Sequence, residues 1–265
     1  MGTSVDDLEQ AFNLLLDSNQ KAACGWKITL PTPSFSSLKE LRVAVWADDN
    51  FCPVDKEISA AIISTGEHLK DLGATVNFEA RPSFDPEENH INFTLLMLAQ
   101  QAAGMPPKLR KKARISVDSA EKDDMTEPLL QMRGISLDHV DWMRENEIRL
   151  QIKKTWHLFF QNYDVLICPC ANVTAFPHDF EPDIHKRKIE INKKPHQYTT
   201  LMRWPGLTLN AHLPATAVPI ALSNEGLPIG MQIASNFLND RTSLSVARLL
   251  ESSHYRFLAP EKYSS

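Results

Sequence analysis

The stretch that most restricts the fold is Leu213 to Glu251, LPATAVPIALSNEGLPIGMQIASNFLNDRTSLSVARLLE. Ala215 to Leu222 is a short apolar run between Pro214 and the turn-forming Ser223, Asn224, Glu225 and Gly226, a pattern that predicts a strand buried on both faces. Pro228 to Ala234 reads as its partner, and a few polar residues ending in Gly226 suit a hairpin between the two. Beyond it, Asn239 or Asp240 can cap a helix in which Val246, Leu249 and Leu250 recur at i, i+3, i+4. On periodicity alone this is a β-hairpin with a packing helix, which any α/β protein can contain.

The rest of the chain alternates in the same style. Ser4 can cap a first helix with Asp6 and Asp7 in its first turn and Leu8, Phe12, Leu15 and Leu16 on one face. After the Pro- and Ser-rich segment Pro31 to Ser37, Leu41 to Trp46 predicts a strand. Asp55 opens a helix carrying Ile58, Ile62, Thr65, Leu69 and Leu72, Gly73 is placed to end it, and Ala74 to Phe78 is the next strand. Strand, helix and strand in this order form a βαβ unit with parallel strands. Glu87 to Ala103 predicts another helix, stopped by Gly104, Pro106 and Pro107. The charged segment 108–128 reads as a solvated connection, with a lid or partner surface as the alternative. Leu137 to Phe160 has the length of a long helix with Val140, Ile148, Ile152 and Phe159 in phase, leading into a strand at Val165 to Cys168. Residues 171–196, with Pro177, Pro182 and Pro195, predict a long surface excursion. The fold class is α/β.

Composition excludes several classes. A formal charge of −5 gives no general attraction to nucleic acid or anionic membrane, and no run approaches the ~18 to 20 apolar residues of a membrane span. The basic run Lys108 to Arg114 is followed by Asp118, Glu121, Asp123 and Asp124 and carries no interleaved aromatics, so it does not read as a nucleic-acid patch. The first residues lack a basic region and are not a secretory signal. Cys24, Cys52, Cys168 and Cys170 lack zinc-site spacing and are expected to be reduced thiols in a cytoplasmic protein. His178, His185 and His196, with Asp179, Glu181 and Asp183, have no compact spacing, so no metal is expected there.

The residue string itself goes further. LPATAVP, GLPIGMQI and the following Asp240, Leu244, Ala247 and Glu251 closely resemble the end of the amidase signature family. Ser4 to Leu8 with Leu14 to Asp17, Leu41 to Val45, and Tyr163 to Pro169 resemble its later blocks in the family's order. The resemblance implies a large mixed sheet with helices on both faces, of which this chain supplies a partial sheet within one incomplete domain, residues 1–265. It implies cleavage of amide bonds, without a cofactor, by a Lys, a Ser in a cis peptide and a nucleophilic Ser. Those elements precede the blocks found here. The nine glycines are scattered, none closer than Gly226 and Gly230, so a Gly-Gly-Ser loop able to aim several N–H groups at an oxyanion is absent.

The expectation is therefore the C-terminal part of an amidase whose catalytic residues lie outside this sequence, with Met1 at a position interior to the family. The alternative is a non-catalytic remnant or subunit that binds a ligand or partner. A sheet cut along its length exposes strand edges and apolar surface, so the chain is expected to be poorly soluble or to self-associate unless a missing half covers it. By resemblance, Cys168, Pro169 and Cys170 line the acyl pocket, with Cys170 where the family has Thr. Asn210 falls one position later than the family's usual Asn. His212 stands where the family most often carries Gly, just before Leu213, Pro214 and Ala215; it would line the pocket, where a His could act as an acid or base, with a hydrogen-bonded structural His as the favoured reading.

Overall fold

The computed structural model describes residues 1–16, 25, 27–253 and 255–259, and Cys24 lies outside that set. Helix α1 (Val5–Leu15) starts at Ser4, whose hydroxyl accepts from Asp7 N at 3.1 Å. Leu8 and Phe12 turn toward the core, but Leu15 is exposed, so the apolar face is narrower than the sequence suggests. Strand β1 (Arg42–Val45) leads to α2 (Lys56–Asp71) and back to β2 (Thr75–Asn77). Gly73, at φ +100°, makes the return possible. The expected Asp55 cap takes a different form. Its carboxylate accepts from Asn192 N at 2.6 Å, while the side-chain oxygen of Asn192 accepts the helix's first N–H, from Lys56, at 3.0 Å.

Helix α3 (Pro86–Ala102) is capped by Asp85 and is followed by α4 (Pro107–Asp118) and α5 (Glu127–Ile135). The segment read as a solvated connection is thus largely helical. Pro107 and Pro128 sit in first turns, where the missing N–H costs nothing, and Ala113 and Leu130 are buried. The long helix α6 (His139–Phe159) is present, but Val140 and Ile148 are exposed. Its buried side is Ile152, Trp156 and Phe159, because only its second half reaches the core.

Next come β3 (Val165–Pro169) and a two-stranded ribbon, β4 (Lys188–Ile191) and β5 (Lys194–Gln197), inside the expected excursion. Asn192 and Lys193, both at positive φ, form its two-residue turn. Helix α7 (Arg203–Asn210), strands β6 (Ala215–Leu222) and β7 (Pro228–Ala234), and α8 (Asp240–Ser253) complete the order.

The main sheet runs β2-β1-β3-β7-β6, parallel across β2, β1 and β3 and antiparallel from β3 through β7 to β6. Successive strand residues point to opposite faces, and all five residues of β3 are buried, so the sheet's centre is covered on both sides. This is the expected mixed α/β architecture. β6 differs from the strand expected there. Thr216, Val218 and Ile220 are buried while Ala215, Ala217 and Pro219 are exposed, because β6 is an edge strand rather than a central one. Among the described residues no helix is long and apolar enough to cross a membrane.

Candidate functional site

Helix α7 is anchored by Trp204, fully buried, whose indole N–H donates to the Cys52 carbonyl at 3.1 Å and whose ring meets Trp46 edge-on at 5.8 Å. Its end is a Schellman turn: Leu213 N donates to Thr208 O at 3.0 Å and His212 N to Leu209 O at 3.0 Å. The residue that must take the left-handed conformation in such a turn is His212, at φ +56°. Glycine is the usual occupant because it has no Cβ to crowd the following carbonyl. The departure noted in the sequence therefore carries backbone strain.

His212 is also held from its ring. Arg149 Nη1 lies 2.6 Å from His212 Nε2, and Arg149 Nη2 donates to Asn146 Oδ1 at 2.5 Å. A guanidinium only donates, so Nε2 accepts and the proton of the neutral ring is on Nδ1. Burial, then the positive charges of Arg149 and Lys153, push the His212 pKa down. Its Nε2 lone pair is already engaged, which removes it as a general base in this state.

His212 and Arg149 border a cavity of about 530 Å³ between α3, α6 and α7, walled by Phe93, Leu96, Met97, Trp142 and Leu209. Behind it lies a buried amide network. Asn210 Nδ2 donates to Asn89 Oδ1 and Asn92 Oδ1, both at 3.0 Å, and Asn92 Nδ2 donates to the Glu145 carboxylate at 2.8 Å. These contacts tie α3, α6 and α7 into one wall. Of this set only Asn210 and His212 stood out in the sequence. Asn89 and Asn92 are three apart on α3, and that spacing on one face was the available signal.

Cys168, Pro169 and Cys170 are elsewhere and do not line that cavity. Cys168 and Pro169 end β3, and the Pro169 carbonyl accepts from Gln232 Nε2 at 2.9 Å. Cys170 is half-buried beside Gly230. Burial pushes the Cys170 thiol up to about 11, and burial followed by Cys170 raises Cys168 well above the ordinary thiol range. Neither has the electropositive setting a nucleophilic thiolate needs. Among the described residues no group of three or more His, Cys, Asp or Glu side chains is placed to hold a metal ion. No lysine among them is hydrogen-bonded to a serine hydroxyl, so a Ser-Lys pair is not assembled within the described residues.

The amidase family model matches residues 1–244. A glutamyl-tRNA(Gln) amidotransferase chain from Nostoc punctiforme is 20% identical over 94% of this chain and 53% of its own length. The lipoamidase of Enterococcus faecalis is 27% identical over 76% of this chain and 30% of its own. A solved structure from a vestigial protein complex, described as revealing the evolutionary origins of an s-triazine catabolic enzyme, superposes with a TM-score of 0.67 at 20% identity. It covers 98% of this chain and 54% of that one. The chain spans about half the length of the amidotransferase chains it matches. With the match running through both halves of the sheet, from α1 into α8, the chain belongs to the amidase family.

Proposed function

We propose that this chain is the C-terminal part of a hydrolase that cleaves carbon–nitrogen bonds of small amides, within a single amidase domain that it does not complete alone. The supporting observation is the pairing of a family match over residues 1–244 with coverage of only about half the relatives' length. The lysine, cis-serine and nucleophilic serine that the family resemblance requires are assigned to polypeptide outside this sequence, and the chemistry needs no cofactor. Cys168, Pro169, Cys170 and His212 are proposed to line the acyl side of the completed site, as packing surface rather than as reacting groups. The free thiols Cys52, Cys168 and Cys170 fit a cytoplasmic setting.

The partner is proposed to be the missing N-terminal half, or a second copy in its absence. The outward face of β6 favours this, because Ala215, Ala217 and Pro219 are small and apolar where a solvated sheet face would alternate to polar residues. The test is to sequence the coding DNA upstream of Met1 and co-express any encoded Lys- and Gly/Ser-bearing segment with this chain. Hydrolysis of a simple anilide is expected from the pair and not from the chain alone. Amide hydrolysis by the purified chain would overturn the assignment of catalysis to outside residues. A partner that assembles with the chain but gives no hydrolysis would support the non-catalytic alternative.

A further inference from the structure

The cavity between α3, α6 and α7 has an unbalanced charge at its rim. Arg149 is hydrogen-bonded to two neutral groups, Asn146 and His212, and makes no ion pair with a carboxylate among the described residues. Its Nε is buried without a partner. One turn further along α6, the Lys153 ammonium sits 3.9 Å from the Phe237 ring centre, again without a carboxylate. Lys153 is close enough to Arg149 that its pKa is lowered, by burial first and then by the guanidinium. Glu145, one turn before Arg149 on the same helix, is engaged by Asn92. An unpaired guanidinium thus stands at the rim of a pocket whose walls are Phe93, Leu96, Met97, Trp142 and Leu209, with a second cation, Lys153, one helical turn behind it.

Like charges at that spacing repel, and burying part of a guanidinium without a counter-charge is costly. An anion at the rim relieves both. The neutral His212 ring adds its Nδ1–H as a further donor, since Nε2 is taken by Arg149. The volume, about 530 Å³, lies within the range of sites that bury a small organic molecule. A free inorganic anion would leave the aromatic and aliphatic walls wet, and a neutral hydrocarbon would leave the cations unpaired.

We propose that this cavity binds an apolar monocarboxylate, its alkyl or aryl body lying between α3 and α7 and its carboxylate on Arg149, with Lys153 adding charge and His212 a hydrogen bond. The assignment rests on the cavity and does not depend on the amide-hydrolase reading.

The test is calorimetric titration of the purified chain with octanoate, octanamide and octylamine at neutral pH. Octanoate is expected to bind saturably, and the isosteric octanamide at least about ten-fold more weakly, the factor expected for loss of one charge-assisted hydrogen bond. Octylamine is expected not to bind. Arg149→Met should reduce octanoate affinity by a similar factor while leaving the weaker octanamide binding in place. Met97→Trp fills the cavity without touching the Arg149 contacts and should abolish both, which keeps the proposal testable if Arg149→Met fails to fold. Equal affinity for octanoate and octanamide, absence of octanoate binding, or octanoate binding indifferent to Met97→Trp would each overturn it.

Discussion

At His212 two physical demands meet on one residue. The Schellman turn that ends α7 requires a positive φ, and the Arg149 guanidinium requires a hydrogen-bond acceptor at the same place. The left-handed conformation costs a residue with a Cβ about 1–2 kcal/mol, a cost glycine escapes. Replacing His212 by Gly and by Ala removes the imidazole in both cases, so their difference isolates the backbone term. His212→Gly is expected to be more stable than His212→Ala by about 1 kcal/mol in urea unfolding, the reverse of the usual order in which alanine wins by about 0.5–1 kcal/mol. The imidazole itself has a pH signature. Burial, Arg149 and Lys153 lower its folded pKa below the ordinary 6.5, so the neutral ring's contribution is fully present above 6.5 and is lost as pH falls through the folded value. Melting temperature should therefore decline as pH falls below 6.5 more steeply in the parent chain than in His212→Gly. Equal slopes would mean that another group controls that range. The sequence marks His212 as unusual through the family's glycine, and the conformation explains why glycine is usual there. It does not reveal Arg149, which lies 63 positions away and becomes a neighbour only when α6 packs beside α7.

Helices α3 and α5 meet at a glycine, and that contact sets how closely α5 can approach. A Cβ built on Gly134 would lie 2.8 Å from Leu98 Cβ and 3.2 Å from the carbonyl oxygens of Leu95 and Thr94. None of these atoms is the far end of a flexible side chain. Alanine gains about 1 kcal/mol of helix propensity, but overpacking against fixed backbone costs about 1–3 kcal/mol. Gly134→Ala is expected to lower unfolding stability by about 1 kcal/mol. Gly104→Ala, whose Cβ meets only a carbonyl at 3.8 Å, serves as the control and should be neutral or slightly stabilising. The same region shows where sequence reasoning runs out at this scale. Strands and helices with strong internal signals, such as α2 with its Ile58, Ile62, Thr65 and Leu69 stripe, are legible because the pattern is local. Helices α4 and α5 carry few buried residues, so their polar sequence resembles a loop, and what fixes them is the packing of α5 onto α3 and of α4 onto α5. The β4–β5 ribbon was legible in principle, since Ile189 and Ile191 alternate with exposed residues, but its turn is Asn192-Lys193 rather than a glycine pair. Asn192 is held by Asp55 and caps α2, a contact 137 positions long that no local pattern encodes.

The whole molecule is a sheet closed on both faces at its centre and open at one side. β2 and β6 are its two edges, and they are unlike. β2 is three residues long with Thr75 and Asn77 exposed, a short polar edge that offers little template for another strand. β6 is eight residues long, pairs among the described residues only with β7, and turns Ala215, Ala217 and Pro219 outward. Of these, Ala215 and Ala217 border a cleft with Leu8, Phe12 and Leu244, so the exposed face is continuous with apolar surface from α1 and α8. A face of this kind is covered in water by whatever apolar surface is available, and at high concentration of the chain alone that is a second copy. The weight-average mass from light scattering should therefore rise with protein concentration. Ala217→Lys places a charge at the middle of that face without entering the core, because Thr216 and Val218 on either side carry the buried contacts. The variant should keep the parent's circular dichroism spectrum and hold the monomer mass at concentrations where the parent associates. If the outer face of β6 is where the missing half docks, Ala217→Lys should also weaken assembly with a co-expressed N-terminal segment, whereas a surface change such as Ile115→Lys on α4 should not. Loss of self-association without any loss of that assembly would separate the two interfaces and place the docking surface elsewhere on the sheet.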